Sequence, residues 1–272
     1  MSEAVSYRTS ADIGVITLQR PDNRNSMTPE LLDAFAVAST AAAQDRSIRC
    51  LVVTGTGTCF SSGADFKSFP PVGTHPPGST SGAQRDTQAA PHERSYAMYE
   101  PFLSLLDVTV PVIGALNGHA VGGGFGLALV CDLRIGAAEA KYGANFVKLG
   151  LAPGMAISYL LPRIVGVARA NELLFTGRLV DGSEAERIGI LHRAVPASDV
   201  FAETMAMART IADNAPFAVA AAKRAIRLGL ALDARTAARA EAHAQAASLA
   251  MDDAREGIAA LLAKRPPQFT GR

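Results

Sequence analysis

The chain has 272 residues, 49% of them hydrophobic and 19% charged, with a formal net charge of +1. That length and apolar content suit one large domain, or a domain with an appended piece, and a near-neutral balance without a basic cluster argues against a nucleic-acid partner. No apolar stretch approaches membrane-spanning length and residues 1–18 lack the basic-then-apolar order of a signal peptide, so a cytoplasmic protein with no membrane span is expected.

Residues 15–18 read as a strand, followed over 21–27 by a polar turn that holds Arg24 and two asparagines. Thr28, Pro29 and Glu30 make a helix start, with Pro29 at the first helical position, and the helix is predicted through 31–43. Residues 50–54 are a buried strand that ends at Gly55, and 59–66 are a strand end that turns at Gly63. Residues 69–91 carry five prolines and no apolar periodicity, so a long loop is expected there. Helical spacing resumes over 96–106. Pro111 opens an apolar run to Leu116, tolerable at the first residue of a strand, and the unbroken run reads as a buried strand. That strand feeds into Gly122, Gly123 and Gly124, where a helix begins. Further on come a strand over 133–137, a loop and short strand over 140–150, and a helix over 155–164 interrupted at Pro162. A helix over 169–176 follows, then one over 183–188 behind a serine cap. From Asp199 only helices are predicted, over 201–214, 217–230 and 234–262. The chain is therefore divided near Ala197 into a core (1–197) and a C-terminal helical region (198–272). Cys50, Cys59 and Cys131 are scattered in apolar surroundings, which predicts reduced core thiols and no metal site.

The chemistry concentrates at the triple glycine. Glycine lets another molecule touch the main chain, and the first N–H groups of a helix lack internal partners. Such a turn binds an anion, either a phosphate or a developing oxyanion. Neither a GxxxxGK[ST] loop nor a full GxGxxG fingerprint is present, which weakens the phosphate reading. A glycine run by itself also serves close helix packing.

Two motifs in order extend the reading. The segment FSSGADF at 60–66 and the segment NGHAVGGGFGLALVCDLRIGA at 117–137 together resemble the signatures of the crotonase superfamily, the enoyl-CoA hydratase and isomerase group. The similarity extends from about residue 14 to residue 269, including LFTGRLVDGSEAERIGILHRAVP at 174–196 and EGIAALLAKRPPQF at 256–269. This resemblance implies an α/β fold, a spiral of ββα units with a C-terminal helical trimerisation region. It implies an acyl-CoA thioester as ligand, with coenzyme A entering as part of that ligand and no permanently bound cofactor, and a homotrimer or dimer of trimers. It also implies an oxyanion hole made by the backbone N–H groups of Ala64 and Gly123, each worth roughly 3 kcal/mol to a transition state. Ser62, Ala64 and Phe66 correspond to the stretch whose backbone meets the adenine, Arg24 to a phosphate contact and Lys264 to a tail lysine near the 3′-phosphate. For Arg24 and Lys264 the alternative is an ordinary solvated charge.

The chain also departs from the pattern. The two glutamates of a hydratase in that family fall on Gly126 and Phe146, and the nucleophilic aspartate of a related dehalogenase falls on Gly154. Neither glycine nor phenylalanine moves a proton. An ordinary hydratase mechanism is therefore not expected, and an isomerase, lyase or hydrolase with a recruited acid or base is, with a noncatalytic acyl-CoA carrier or regulator as the alternative. Candidates for recruitment are Asn145, which orients water but is no base, His119 near the turn, which on an apolar strand also reads as a hydrogen-bonded core residue, and His75, His92 and Glu93 on or beside the proline-rich loop. Tyr159 is a further donor. Asp65 and Asp132 read as helix-end and turn ligands.

Overall fold

Strands follow one another in pairs along this chain, and after the opening hairpin three successive pairs divide between two sheets. The computed structural model describes residues 4–65 and 90–272. It opens with an antiparallel hairpin of β1 (Val5–Ser10) and β2 (Ile13–Leu18), followed by α1 (Pro29–Gln44), β3 (Cys50–Gly55) and β4 (Cys59–Ser61). Next come α2 (Pro91–Leu103), β5 (Val112–Leu116), β6 (His119–Val121) and α3 (Gly123–Val130). The following unit holds β7 (Leu133–Ala137), β8 (Lys141–Gly143), α4 (Ile157–Val165) and α5 (Val167–Thr176). β9 (Val180–Asp181), α6 (Gly182–Arg187) and β10 (Arg193–Val195) precede the last helices, α7 (Val200–Ala212), α8 (Pro216–Gly229), α9 (Ala234–Leu249) and α10 (Asp252–Leu262).

Among the described residues one sheet has six strands in the order β1-β2-β3-β5-β7-β10 and the other has four, β4-β6-β8-β9. β3 with β4, β5 with β6 and β7 with β8 each send their first strand to the larger sheet and their second to the smaller before a helix follows. This is the strand-strand-helix spiral that the sequence motifs imply. From β2 to β10 the larger sheet is parallel, with registers such as Val52↔Ile113 and Ala115↔Ile135. Parallel strands are covered on both faces, which explains why β5 is an unbroken apolar run buried at every position. α1 starts as predicted: the Thr28 hydroxyl accepts the Leu31 N–H at 3.2 Å and Pro29 occupies the first turn. Its inner stripe, Leu31, Leu32, Phe35, Ala38 and Ala42, is buried, the spacing of a helix with one face on a core.

Several boundaries differ from the sequence reading. The strand at 112–116 does not run directly into the triple glycine. A turn at Asn117 and Gly118 intervenes, then β6, which pairs in the second sheet with β4 and β8. α2 starts at Pro91, because the Glu93 carboxylate accepts the Ala90 N–H at 2.8 Å and closes the first turn. The loop read over 69–91 otherwise lies outside the described residues, as do Phe66 and His75. α6 is capped by Asp181, whose carboxylate accepts the Glu184 N–H at 2.9 Å, and not by a serine. The helix predicted over 234–262 is two helices, broken at Ala250 and Met251. Asp253 at the start of α10 explains the second one: its carboxylate takes the N–H groups of Thr270 and Gly271 at 2.7 and 2.9 Å, which folds the tail back along the helix. α7 buries Val200, Thr204, Ala208 and Ala212 and packs on β3, β5 and β7, so residues just beyond 197 still cover the larger sheet. No helix among the described residues is long and apolar enough to cross a membrane.

The three cysteines are free and buried. Burial pushes the Cys59 thiol up to about 11 and those of Cys50 and Cys131 up to about 12, so none is a thiolate near neutral pH.

α8 is attached to the core by charge. The Lys223 ammonium, with its side chain 8% exposed, lies 2.7 Å from Asp132 and donates to the Val110 carbonyl at 2.7 Å. Asp132 also accepts the Val112 N–H at 2.8 Å and meets Arg227 at 3.1 Å. Burial pulls the Lys223 pKa down, while Asp132 opposes that shift. Removing the carboxylate leaves a buried ammonium unpaired. Asp132→Ala is therefore expected to lower stability by roughly 3–5 kcal/mol, and Arg227→Ala, at the more open of the two cationic partners, by about 1 kcal/mol or less. Urea unfolding of the two variants measures the difference, and equal losses would contradict this account of Lys223.

Candidate active site

Three short segments meet at the ends of β2, β4 and β6. The polar turn after β2 is organised by Asn25, fully buried and in the left-handed region with φ of 51°. Its side chain accepts the Arg20 N–H at 2.8 Å and donates to the carbonyls of Thr56 and Cys59 at 3.0 and 2.8 Å. Its own carbonyl accepts the Ser61 hydroxyl at 2.9 Å, and that hydroxyl accepts the Gly63 N–H at 3.3 Å. Further bonds join Ser62 N–H to the Arg24 carbonyl at 3.0 Å and Met27 N–H to the Gly63 carbonyl at 2.8 Å. The turn and the chain after β4 are thereby sewn together.

This pair of segments lies directly on the glycine turn. Gly63 has φ of +85°, and a Cβ on it would fall 2.7 Å from the Val121 carbonyl oxygen and 2.8 Å from the Gly123 nitrogen. Gly122 adopts φ 57° and ψ −121°, open to glycine and not to L side chains. A Cβ on Gly123 would meet the Met27 sulfur at 2.3 Å, and one on Gly124 the Ser61 carbonyl at 2.2 Å. The close approach carries the Gly63–Ala64 peptide, and with it the Ala64 N–H, up to the turn at Gly123. Gly123 is the first residue of α3, so its N–H has no acceptor within the helix, and no hydrogen bond among the described residues uses either donor. The Gly63 N–H, by contrast, is occupied by Ser61. Main-chain donors left unpaired at such a turn suit an oxygen on which negative charge develops.

The wall beyond the donors is apolar. All eight residues of α3 are buried and none is titratable. A Cβ on Gly126 would lie 2.4 Å from the Met155 Cβ, so Met155 fills the place a side chain there would take. Met155 and Ala156 both hold φ in the left-handed region, 58° and 53°, each at about 1–2 kcal/mol for a residue with a Cβ. Phe146, in a single 3-10 turn over Phe146–Leu149, is half-buried and packed on the core.

The candidate proton carriers separate. Asn145 is beside the turn, its Oδ1 3.7 Å from where a Gly122 Cβ would be. His119 is corrected from a core residue to an exposed one. It sits at the opposite end of β6 from the glycines, and its Nδ1 accepts the Lys141 N–H at 2.9 Å. His92 is exposed on the first turn of α2, and the Glu93 carboxylate beside it serves the helix cap. Tyr159 is 54% exposed, with the Arg163 guanidinium 3.5 Å from its ring centre. Asp132 serves the α8 attachment. Arg24, Ser62 and Ala64 fall together through the Ser62–Arg24 bond. Lys264 lies in the tail, which is tied by Arg49 to the Phe269 carbonyl at 2.8 Å, at the start of β3 and away from the glycine turn. No described contact joins Lys264 to Arg24 or Ser62.

Two contributors carry no sequence signal. Asn25 is one polar residue in a polar turn, marked only by what it binds in space. Tyr99, within α2, places its hydroxyl against Gly154, where a Cβ would fall 2.4 Å from it.

A family model described as Enoyl-CoA hydratase/isomerase matches residues 8–272. The chain belongs to that family. It is 33% identical over 270 residues, 99% of both chains, to a Mycobacterium bovis protein named "Probable enoyl-CoA hydratase echA8". It is 37% identical over 268 residues, 95% of this chain and 90% of the other, to "Probable enoyl-CoA hydratase echA12" of the same organism. Among solved structures it is similar to the enoyl-CoA hydratase from Bacillus anthracis, with a TM-score of 0.88, 30% identity and coverage of 99% and 100%. The fold thus sits within the enoyl-CoA hydratase/isomerase family.

The packing at Gly126 and Phe146 yields a test of the pocket wall. Gly126→Glu must displace Met155 and bury a carboxyl, so it is expected to destabilise the protein by at least about 1–3 kcal/mol. Phe146→Glu, at a half-buried position, is expected to be less severe. Thermal unfolding compares them, and the reverse order would show that Met155 yields easily.

Proposed function

We propose that the protein binds a CoA thioester, accepts the thioester oxygen between the N–H groups of Ala64 and Gly123, and acts on it without the two-carboxylate hydratase route. The observation that carries this reading is the contact of Gly63 with the glycine turn, and it is supported by the N–H groups of Ala64 and Gly123 having no hydrogen bond among the described residues. Polarising a thioester carbonyl favours an enolate or a tetrahedral centre, and each donor is worth on the order of 100- to 1,000-fold in rate. Hydration needs in addition a group to activate water and one to protonate carbon, each contributing about 100- to 10,000-fold. The described surroundings of Gly126 and Phe146 supply neither. Among the described residues Asn145 is the one expected candidate beside the turn, and it orients water without acting as a base. The reaction class that fits is isomerase, lyase or hydrolase chemistry on the activated thioester. The apolar wall also favours a second reading, a carrier that binds the thioester and leaves it unchanged.

Arg24 and Ser62, adjacent on the surface, are assigned to the coenzyme A moiety. The reading includes a homotrimer or dimer of trimers. α9 buries none of its residues within the chain, and Ile226, Leu230, Leu249, Ile258, Leu261 and Leu262 are between 55% and 79% exposed. An apolar helical surface of that extent is expected against other copies. Sedimentation at micromolar concentration is expected to give a trimer or hexamer, and a monomer would overturn the assembly.

The functional test joins binding to turnover. Ala64→Pro and Gly123→Pro each remove one N–H and are expected to abolish acyl-CoA binding in calorimetry. Unchanged affinity in both would reject the site. The wild type is expected to hydrate crotonyl-CoA at least about 100-fold below a two-carboxylate relative, since one missing proton-transfer group suffices for that. A panel of saturated, 2-enoyl, 3-enoyl, malonyl-type and aryl thioesters, followed by mass spectrometry, separates enzyme from carrier: turnover of any member supports the enzyme, and binding without turnover the carrier.

A further inference from the structure

Among the described residues Tyr99 sets a phenol against the apolar packing that runs from Gly126 through Met155 to Gly154. The residue is half-buried on α2. A Cβ on Gly154 would fall 2.4 Å from its hydroxyl oxygen and 2.8 Å from Cζ, so the end of the phenol rests on the Gly154 backbone and needs the missing side chain there. Gly154 is buried, and Met155 next to it is buried and covers Gly126. Gly126 is one helical turn from Gly123 on the same face of α3. From the Gly123 donor the wall therefore runs through Gly126, Met155 and Gly154 to the Tyr99 hydroxyl. The first three offer no side-chain donor or acceptor. Among the described residues the Tyr99 hydroxyl has no hydrogen-bond partner, whereas the buried phenol of Tyr142 is satisfied by the Ala137 carbonyl at 2.8 Å. A phenol in such a position selects rather than anchors: it serves a neutral oxygen of a ligand, and it makes a purely hydrocarbon chain forgo a hydrogen bond that water would have supplied.

We infer that Tyr99 is a specificity-determining residue and that the ligand's acyl group bears an oxygen that accepts a hydrogen bond from the Tyr99 hydroxyl. This inference rests on the thioester reading above and narrows it, since a plain saturated or 2-enoyl chain has no such oxygen beyond the thioester carbonyl. A neutral donor matches a keto, hydroxyl or phenolic oxygen.

Calorimetry with matched pairs tests it: butanoyl-CoA against 3-oxobutanoyl-CoA and 3-hydroxybutanoyl-CoA, and benzoyl-CoA against 4-hydroxybenzoyl-CoA. Wild-type protein is expected to bind at least one oxygen-bearing thioester about tenfold more tightly than its oxygen-free counterpart. Tyr99→Phe removes only the hydroxyl and is expected to reduce that preference to within about twofold, with the oxygen-free affinity unchanged. Gly154→Ala keeps the phenol and displaces it through the added methyl group, and is expected to erase the same preference. Two substitutions of opposite size with one outcome separate hydrogen bonding from loss of packing, and circular dichroism confirms that both variants fold. Binding of every thioester without preference, or a preference that survives Tyr99→Phe, overturns the role of Tyr99 and leaves the thioester reading standing. A wild type that binds no CoA thioester overturns both.

Discussion

Gly63 rests on the glycine turn so closely that a single methyl group would overlap the Val121 carbonyl and the Gly123 nitrogen. Main chain against main chain at that range is possible only where no Cβ intervenes and where every other polar group of the two segments is already satisfied. Asn25 and Ser61 meet the second condition by taking the carbonyls and N–H groups on the far side of the contact. The N–H groups of Ala64 and Gly123 remain without a hydrogen bond among the described residues. The spiral of strand pairs serves this arrangement, because β4 and β6 are parallel neighbours in the smaller sheet and their ends arrive at the same level.

The same contact limits the chemistry that can follow. Donors fixed in a dry site stabilise charge without reorganising, which is why they act strongly. They do so on any thioester oxygen and do not choose a reaction. In the proposed thioester reading that choice belongs to the side chains near the turn, Met155 against Gly126, Phe146 in its short turn, Asn145 beside Gly122 and the Tyr99 phenol on Gly154. In that reading α3 contributes polarisation, and the residues of α2 and the 3-10 turn set which acyl group is accepted.

Away from the pocket, charge and burial hold the outer helices. α7 is a true covering layer for the larger sheet, and the Lys223–Asp132 pair binds α8 to the loop before β5 and to the end of α3. Beyond α8 the internal contacts thin, and α9 relies on α8 and α10 while exposing both sides. The tail is tied back by Asp253 and Arg49, so the surface that α8 to α10 present is ordered within one chain although its apolar side chains are uncovered.

Local pattern determined much of this protein. The unbroken apolar runs of β3 and β5 required a doubly covered parallel sheet, Thr28 and Pro29 required the start of α1, and the glycines at 63 and 122–124 marked a place where backbone must meet backbone. Those are properties of a few consecutive residues, so one dimension contains them. The short strands β4, β6, β8 and β9 were mostly hidden because two or three residues carry no period, and only pairing with neighbours from distant parts of the chain makes them strands. The break at Ala250 in an alanine-rich run was decided by the tail returning to Asp253. Distance in space also decided the site: it set His119 at the far end of β6, gave the side-chain room of Gly126 to Met155, and brought Tyr99 onto Gly154. No residue type or spacing encodes such contacts, because each depends on where two separate elements come to rest, and that is settled by the packing of the whole core.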